Sequence, residues 1–264
     1  MDSILFDLGF IQIKWYSFLI LIATIIGYIL VFKEAKKRGI SNDQLNDLLF
    51  YLFIISIIGA RLYYVLFNLK YYLSDPLEIF AMWHGGLAIH GGIIAGLIYL
   101  IVYSKKKKLN LFLMTDILVV PLILAQSIGR WGNFFNGEAF GKIVSLKFLR
   151  NLHLPQFIID GMYINGAYRE PTFLYESVLS IIGFLVLIVI RKKLKIKTGT
   201  LTGIYLIWYG IERLIIETFR SDSLMLGPLK IAQIISIIGI IGGGYLIVKT
   251  KNNKLYVKDK LIVK

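Results

Sequence analysis

The 264-residue sequence contains no cysteine. That excludes disulfides, thiolate-held metal and a covalent thiol intermediate on the chain itself. Charge is also scarce. Asp, Glu, Lys and Arg make up 17% of the chain and hydrophobic residues 57%, and the mean hydropathy is +0.70. Ordinary soluble domains carry about 25% charged residues. Acids are the scarcer sign, 16 against 30 bases, for a net charge of +14. The first residues, Met1-Asp2-Ser3-Ile4-Leu5-Phe6-Asp7, have no basic n-region, and no small-x-small cleavage site follows the first apolar run. They read as the approach to an uncleaved first helix rather than a signal peptide. There is no internal repeat and no low-complexity linker.

What is present is a series of long apolar runs. Seven of them, roughly 16–32, 46–68, 85–103, 111–128, 172–190, 199–219 and 229–248, approach the ~20 residues that cross a bilayer. The expected fold is therefore an all-α polytopic membrane protein of about seven transmembrane helices, a single membrane domain over residues 1–264.

The bases fall into two alternating sets. Lys33, Lys36, Lys37 and Arg38, then Lys105 to Lys108, then Arg191, Lys192, Lys193, Lys195 and Lys197, then the lysines of 249–264, follow spans one, three, five and seven. The loops of the opposite side hold fewer, with Lys14, Lys70, Lys142, Lys147, Arg150, Arg169 and Arg220. Loops rich in Lys and Arg stay in the cytoplasm, so the N-terminus is expected outside and the C-terminus in the cytoplasm. The basic runs then read as topology signals beside anionic lipid, not as a nucleic-acid surface. The longest connection, 131–171, falls outside as a small extracytoplasmic cap. Within it Tyr163-Ile164-Asn165-Gly166-Ala167-Tyr168 signals a hairpin, because Asn-Gly suits a tight turn with positive φ.

With this direction set, the polar residues gather at the outer ends of the spans. They are Trp15 and Tyr16 on span one, His84 to Gly92 on span three, Arg130 to Gly141 after span four, Glu170 to Glu176 on span five, and Tyr209, Arg213, Glu217 and Arg220 on span six. Polar groups at membrane depth are costly and are usually kept for function. Each also has a plainer reading. Trp15 and Tyr16 suit the interfacial aromatic belt. The glycines around His90 suit close helix packing as well as room for a ligand. His84 and His153 read as solvated. Asp116 reads as structural, and Pro121 and Pro171 as helix-start or kink residues. Tyr209, Arg213 and Glu217 recur at i, i+4 and i+8, so they share a face and an Arg213–Glu217 ion pair is expected. Glu212 lies on another face. Arg61 is expected to snorkel or to pair, with Glu176 a possible partner.

Two arginines, an Asn, tyrosines and a His suit a phospholipid headgroup. A guanidinium fork holds phosphate and stabilises it as it leaves, and a neutral His can take a proton from a nucleophile. No His/Asp spacing or carboxylate cluster calls for a metal, and no cofactor is expected. A transporter of an anionic solute, another phospholipid headgroup transferase and a structural membrane subunit are the rival readings. Against transport, the polar groups do not continue to the inner side.

Gly129-Arg130-Trp131-Gly132-Asn133-Phe134-Phe135-Asn136-Gly137-Glu138 through Gly141 resembles the signature of the prolipoprotein diacylglyceryl transferase family, and Trp83-His84-Gly85-Gly86-Leu87-Ala88-Ile89-His90-Gly91-Gly92 is similar to a second family motif. Further matches are Lys14-Trp15-Tyr16, Gly59-Ala60-Arg61-Leu62-Tyr63-Tyr64, Pro171-Thr172-Phe173-Leu174-Tyr175-Glu176 and Tyr209-Gly210-Ile211-Glu212-Arg213-Leu214-Ile215-Ile216-Glu217. The chain departs from the family at Phe173, where Gln is usual, and at Glu170, where a His or other polar residue is often seen.

The resemblance implies a multi-pass enzyme of the bacterial cytoplasmic membrane with its site toward the outer leaflet. Its partners would be phosphatidylglycerol and preprolipoprotein signal peptides with a lipobox cysteine. It would move diacylglyceryl onto the cysteine thiol and release glycerol phosphate. On the same ground Arg130 and Arg213 are assigned to the phosphate, Asn133, Asn136 and Gly141 to the headgroup pocket, and His90 to the base. Tyr16 and Tyr209 would orient headgroup or thiol. Glu138 and Glu217 would hold the arginines, Glu217 with a proton-handling alternative.

Overall fold

A computed structural model describes residues 3–7, 9, 12–82, 85–193 and 195–256. His84 and its neighbour Trp83 lie outside the described residues. The chain is mostly helical and divides into two compact units, Met1–Val31 with Thr115–Val257, and Phe32–Met114 with Lys258–Lys264.

Among the described residues five helices are long and apolar enough to cross a membrane: Trp15–Lys37 (α1), Asn42–Phe67 (α2), Leu111–Asn136 (α5), Thr172–Lys193 (α8) and the run Ile231–Asn252, whose α-helical part is Ile231–Lys249 (α10). The two other expected spans form helices, Ile89–Lys106 (α4) and Thr200–Phe219 (α9), that fall short of that standard. α4 begins late and ends in Lys105-Lys106, while α9 carries Glu212, Arg213 and Glu217. The late start has a backbone cause: Gly85 and Gly86 have φ of +93° and +75°, outside the right-handed helical region. Short helices Leu69–Ser74 (α3), Leu146–Asn151 (α6) and Gln156–Gly161 (α7) complete the α-helices among the described residues.

The first unit is built on α5, α8 and α9. Ser127 on α5 and Ser177 on α8 exchange hydrogen bonds at 2.9 and 3.1 Å, and Trp131 Nε1 donates to Ser177 Oγ at 3.1 Å. α8 runs antiparallel to α9, with Trp208 Nε1 donating to the Leu179 carbonyl at 3.1 Å and Ser180 Oγ donating to Glu212 Oε1 at 2.7 Å. Glu212 therefore faces α8 in the interior. α10 closes on α9 through glycine: a Cβ on Gly210 would stand 2.9 Å from the Ser236 carbonyl oxygen. Asp116 is indeed structural. Its carboxylate accepts from the Gly199 and Thr202 amides at 2.7 and 2.8 Å and from the Thr202 hydroxyl at 2.6 Å, so an acid on α5 caps the first turn of α9.

The segment after α5 folds over the ends of α5 and α8. Tyr163–Ile164 (β3) and Ala167–Tyr168 (β4) pair antiparallel around Asn165 (φ +53°) and Gly166 (φ +79°), the hairpin that the Asn-Gly pair signals. Leu149, Ile158, Ile159 and Met162 pack with Phe134 and Phe173 into a small buried core. Phe173 stacks on Phe134 at 4.5 Å and meets Trp131 edge-on at 5.4 Å. The departure at this position thus serves packing, since an aromatic ring here gives large apolar burial. Ile4–Asp7 (β1) with Gln12–Lys14 (β2), and Met225–Leu226 (β5) with Leu229–Lys230 (β6), form two further hairpins.

In the second unit α2 packs on α4 at backbone distance. A Cβ on Gly92 would lie 3.1 Å from the Ser56 carbonyl oxygen, and one on Gly96 2.6 Å from Ser56 Oγ. Small residues allow this approach between apolar helices. Tyr103 Oη donates to the Gln44 carbonyl at 2.7 Å and ties the far end of α4 to the start of α2.

Candidate functional site

One correction changes the shape of the site. The glycine- and asparagine-rich segment expected to open a polar loop after Ile128 is the last two turns of α5, which runs to Asn136. Tertiary contacts hold these turns. Trp15 stacks on Phe135 at 4.5 Å with planes 12° apart, and the Tyr16 ring lies against Gly132, where a Cβ would stand 2.5 Å from Cδ2. Arg130 and Asn133, one turn apart, consequently share a helix face.

Arg130 and Arg213 meet at one acid. Glu176 Oε1 lies 2.7 Å from Arg130 Nη2 and 2.9 Å from Arg213 Nη1. Arg213 Nη2 also pairs with Glu217 Oε2 at 2.7 Å, the expected i, i+4 contact. Both carboxylates are buried, with 1% exposure each, while the arginine side chains keep 18% and 15%. The acids therefore lie deeper than the arginines they hold. Arg130 has looser contacts to Asn133 Oδ1 and Tyr209 Oη, both at 3.4 Å. Donors at that range can turn to a better acceptor. Tyr209 is held flat against Tyr205, with centroids 5.9 Å apart and planes 8° apart, and Gln126 Nε2 donates to Tyr205 Oη at 3.0 Å.

Two pairings differ from expectation, and Gly141 has a part in the fold as well. The acid on Arg130 is Glu176, whereas Glu138 is exposed and donates its amide to the Asn133 carbonyl at 2.9 Å. Glu176 serves the two arginines of its own unit, and Arg61 takes main-chain carbonyls of its own. Gly141 sits at a backbone crossing: its amide donates to the Glu170 carbonyl at 2.9 Å, and a Cβ there would lie 2.8 Å from Glu170 Cβ and 3.0 Å from Thr172 Cγ2. Its lack of a side chain is needed by the fold itself. Asn136 ends α5, and Gly137 at φ +65° and Ala139 at φ +57° turn the chain away. Ala139 is held by Asp222 Oδ2, which accepts its amide at 2.8 Å, and by Thr172 Oγ1, which donates to its carbonyl at 2.6 Å.

His90 belongs to the second unit, in the first turn of α4, exposed and with its ring 6.3 Å from that of Tyr63. His153 is in the left-handed region at φ +53° in the short connection between α6 and α7. Glu170, just before α8, has its carboxyl raised above the ordinary glutamate range by burial, an effect opposed by Lys142 and by a hydrogen bond with Tyr175. Among the described residues no group of three His, Cys, Asp or Glu is placed to hold a metal ion.

Comparison with known proteins gives this geometry a family. The family model for prolipoprotein diacylglyceryl transferase matches residues 3–249. A phosphatidylglycerol–prolipoprotein diacylglyceryl transferase of Staphylococcus haemolyticus is 49% identical over 243 residues, 92% of this chain and 86% of the relative. The protein of the same name from Staphylococcus saprophyticus is 47% identical over 92% of this chain and 87% of its own length. That of Staphylococcus aureus strain MSSA476 is 46% identical over 261 residues, 97% of this chain and 93% of the relative. The match runs through both units and every motif of the site, and the chain, a multi-pass bacterial membrane protein, belongs to the prolipoprotein diacylglyceryl transferase family.

Proposed function

We propose that the protein transfers the diacylglyceryl group of phosphatidylglycerol to the lipobox cysteine thiol of bacterial preprolipoproteins. The observation that carries this reading is the pair of guanidinium groups on one buried carboxylate, in a chain 46–49% identical to enzymes named for that reaction. The homologues' names favour transfer over transport of an anionic solute.

The chemistry is a substitution. The cysteine sulfur forms a C–S bond to the terminal glycerol carbon of the diacylglyceryl unit. The C–O bond from that carbon to phosphate breaks, and glycerol phosphate leaves with the electron pair. The thiol proton passes to a base, for which His90 is the candidate. No electron is gained or lost overall, so no redox cofactor is called for. A thiol with a pKa of about 8.5 needs only a modest base, and the larger demand is the charge that grows on the departing phosphate. Arg130 and Arg213 are suited to meet it. Glu176 holds the two like charges close together before substrate arrives, Glu217 steadies Arg213, and the partly exposed arginines have donors to offer phosphate oxygens. Asn133, Asn136, Tyr16 and Tyr209 border Arg130 or the end of α5 and are assigned to the headgroup, with Gly141 and Glu138 at the margin of the same pocket.

In this reading the chain is one membrane domain of seven spans in the bacterial cytoplasmic membrane. α4 and α9 count among the spans, the N-terminus is outside, and the part of 131–171 beyond the end of α5 at Asn136 forms the extracytoplasmic cap. Internal polar partners for the charges of α9 make such a span tolerable. The site faces the outer leaflet, where phosphatidylglycerol and a translocated signal peptide both reach it.

The test combines purified protein, phosphatidylglycerol vesicles and a lipobox peptide. Mass spectrometry is expected to show one diacylglyceryl group on the cysteine. An unchanged peptide mass in the presence of folded protein overturns the proposal.

A further inference from the structure

Arg61 lies inside the second unit with 5% exposure, and among the described residues every acceptor that hydrogen-bonds it is a main-chain carbonyl. Nε donates to Ile79 at 2.9 Å. Nη1 donates to Gly85 at 2.6 Å and Gly86 at 3.1 Å. Nη2 donates to Glu78 and, at 3.4 Å, to Ala81. The Tyr72 ring lies beneath the guanidinium, 5.1 Å from Cζ. These carbonyls come from the two ends of the segment that leads into α4. They bring the end of the 3-10 turn Pro76–Ile79 and the two positive-φ glycines around one cation. Contact is so close that a Cβ on Gly86 would stand 2.5 Å from Nη1 and 2.9 Å from Tyr64 Cε1. The next residues are fixed by the same helix, since the Ala88 amide donates to the Ala60 carbonyl at 3.0 Å. Ala88 is the N-cap of α4, and His90 is two residues on.

From this we infer that Arg61 is a positioning residue: a permanent internal cation around which the backbone of 78–82 and of 85–88 is arranged, setting the first turn of α4 and His90 within it. Only a planar fork with five donors can serve carbonyls on both sides at once. A lysine ammonium has three donors at one point and cannot span them. Carbonyl dipoles are the natural solvation for a buried cation whose hydrogen bonds all go to the backbone.

Only the activity arm of the test rests on the proposed transfer reaction. Hydrogen–deuterium exchange of the 79–88 amides is measured on purified protein in phosphatidylglycerol vesicles, alongside transfer to a lipobox peptide. Wild type is compared with Arg61→Ala, Arg61→Lys and Gly86→Ala. Arg61→Ala is expected to speed exchange in 79–88 by about tenfold or more and to lower kcat by a similar factor, with KM for phosphatidylglycerol nearly unchanged. Guanidinium at millimolar concentration, far below denaturing levels, should restore both, and an equal concentration of sodium should restore neither. Arg61→Lys should fall between. Gly86→Ala crowds the cation without removing it, so it should show the same defects with no rescue, and it serves should Arg61→Ala fail to fold. Unchanged exchange in Arg61→Ala overturns the inference, whether or not activity is lost. So does faster exchange with undiminished kcat. A wild type that transfers nothing while its exchange follows the expected pattern would sink the transferase reading and leave the cradle around Arg61 standing.

Discussion

Arg130 and Arg213, carried by different helices, are bound by the same oxygen atom, Glu176 Oε1, at 2.7 and 2.9 Å. Two like charges this close repel, and a buried carboxylate between them turns the repulsion into a stable arrangement. Removing one partner from such a buried set typically costs about 3–5 kcal/mol, because the remaining charges are left without compensation. Glu176→Gln is accordingly expected to lower the unfolding temperature and to reduce kcat/KM by about 100-fold or more. Thermal unfolding and the peptide lipidation assay check this, and a variant with wild-type values for both removes Glu176 from its central position.

Arg130→Ala and Arg213→Ala are each expected to lower diacylglyceryl addition by about 1000-fold or more, to a trace that long incubation still reads. On the proposed reading both guanidinium groups act on one phosphate, and both rest on one shared acid, so the double variant should be little worse than either single one. Rates that multiply across the cycle would show two independent sites.

His90→Ala is expected to be nearly inactive, and the loss should be in kcat across the accessible pH range. Wild-type turnover in this variant would eliminate His90 as the base.

Gly132 is where the Tyr16 ring rests on α5. Gly132→Val forces the ring off and should cost about 1–3 kcal/mol as an overpacked contact. Tyr16→Ala in the same chain should recover most of that stability without recovering activity. Chemical or thermal denaturation of the four members of the cycle decides it.

Glu170 supplies a pH signature outside the spans. Its carboxyl is raised by burial in the folded chain, so the folded state binds the proton more tightly than the unfolded chain does. The stability tied to that proton is fully present below the ordinary glutamate range and is lost as pH rises through the higher folded value. Glu170→Gln should remove this fall, making the difference in unfolding temperature between variant and wild type grow with pH over that interval. A constant difference would show that Glu170 does not titrate with folding.

Features set by near neighbours along the chain are legible from residue type and spacing. The Asn165-Gly166 hairpin follows from the turn residues alone, and the Arg213–Glu217 pair from i, i+4 spacing. The partner of Arg130 is not legible in that way. Glu138 is nearby in sequence, whereas Glu176 reaches Arg130 only through the packing of α8 on α5. The helical form of 129–136 is hidden for a related reason. Glycine and asparagine weaken a helix locally, and it is contacts from other helices, the rings of Trp15 and Tyr16 on α1 and the side chains of Phe173, Glu176 and Ser177 on α8, that hold these turns. The surroundings of Arg61 lie beyond residue-type reasoning, since its acceptors are backbone carbonyls that no side-chain pairing rule counts.

The cap that Asp116 places on α9 has a mechanical consequence. It fastens α5 to α9 at one end, and Arg130, Glu176 and Arg213 join the same two helices near the other. About 21 Å of helical rise separates Asp116 from Arg130 on α5 and, equally, Gly199 from Arg213 on α9. Two parallel rods tied at matching heights cannot slide past one another or shift register. The spacing of the two cations is thus a fixed length of the frame, established when the helices pack.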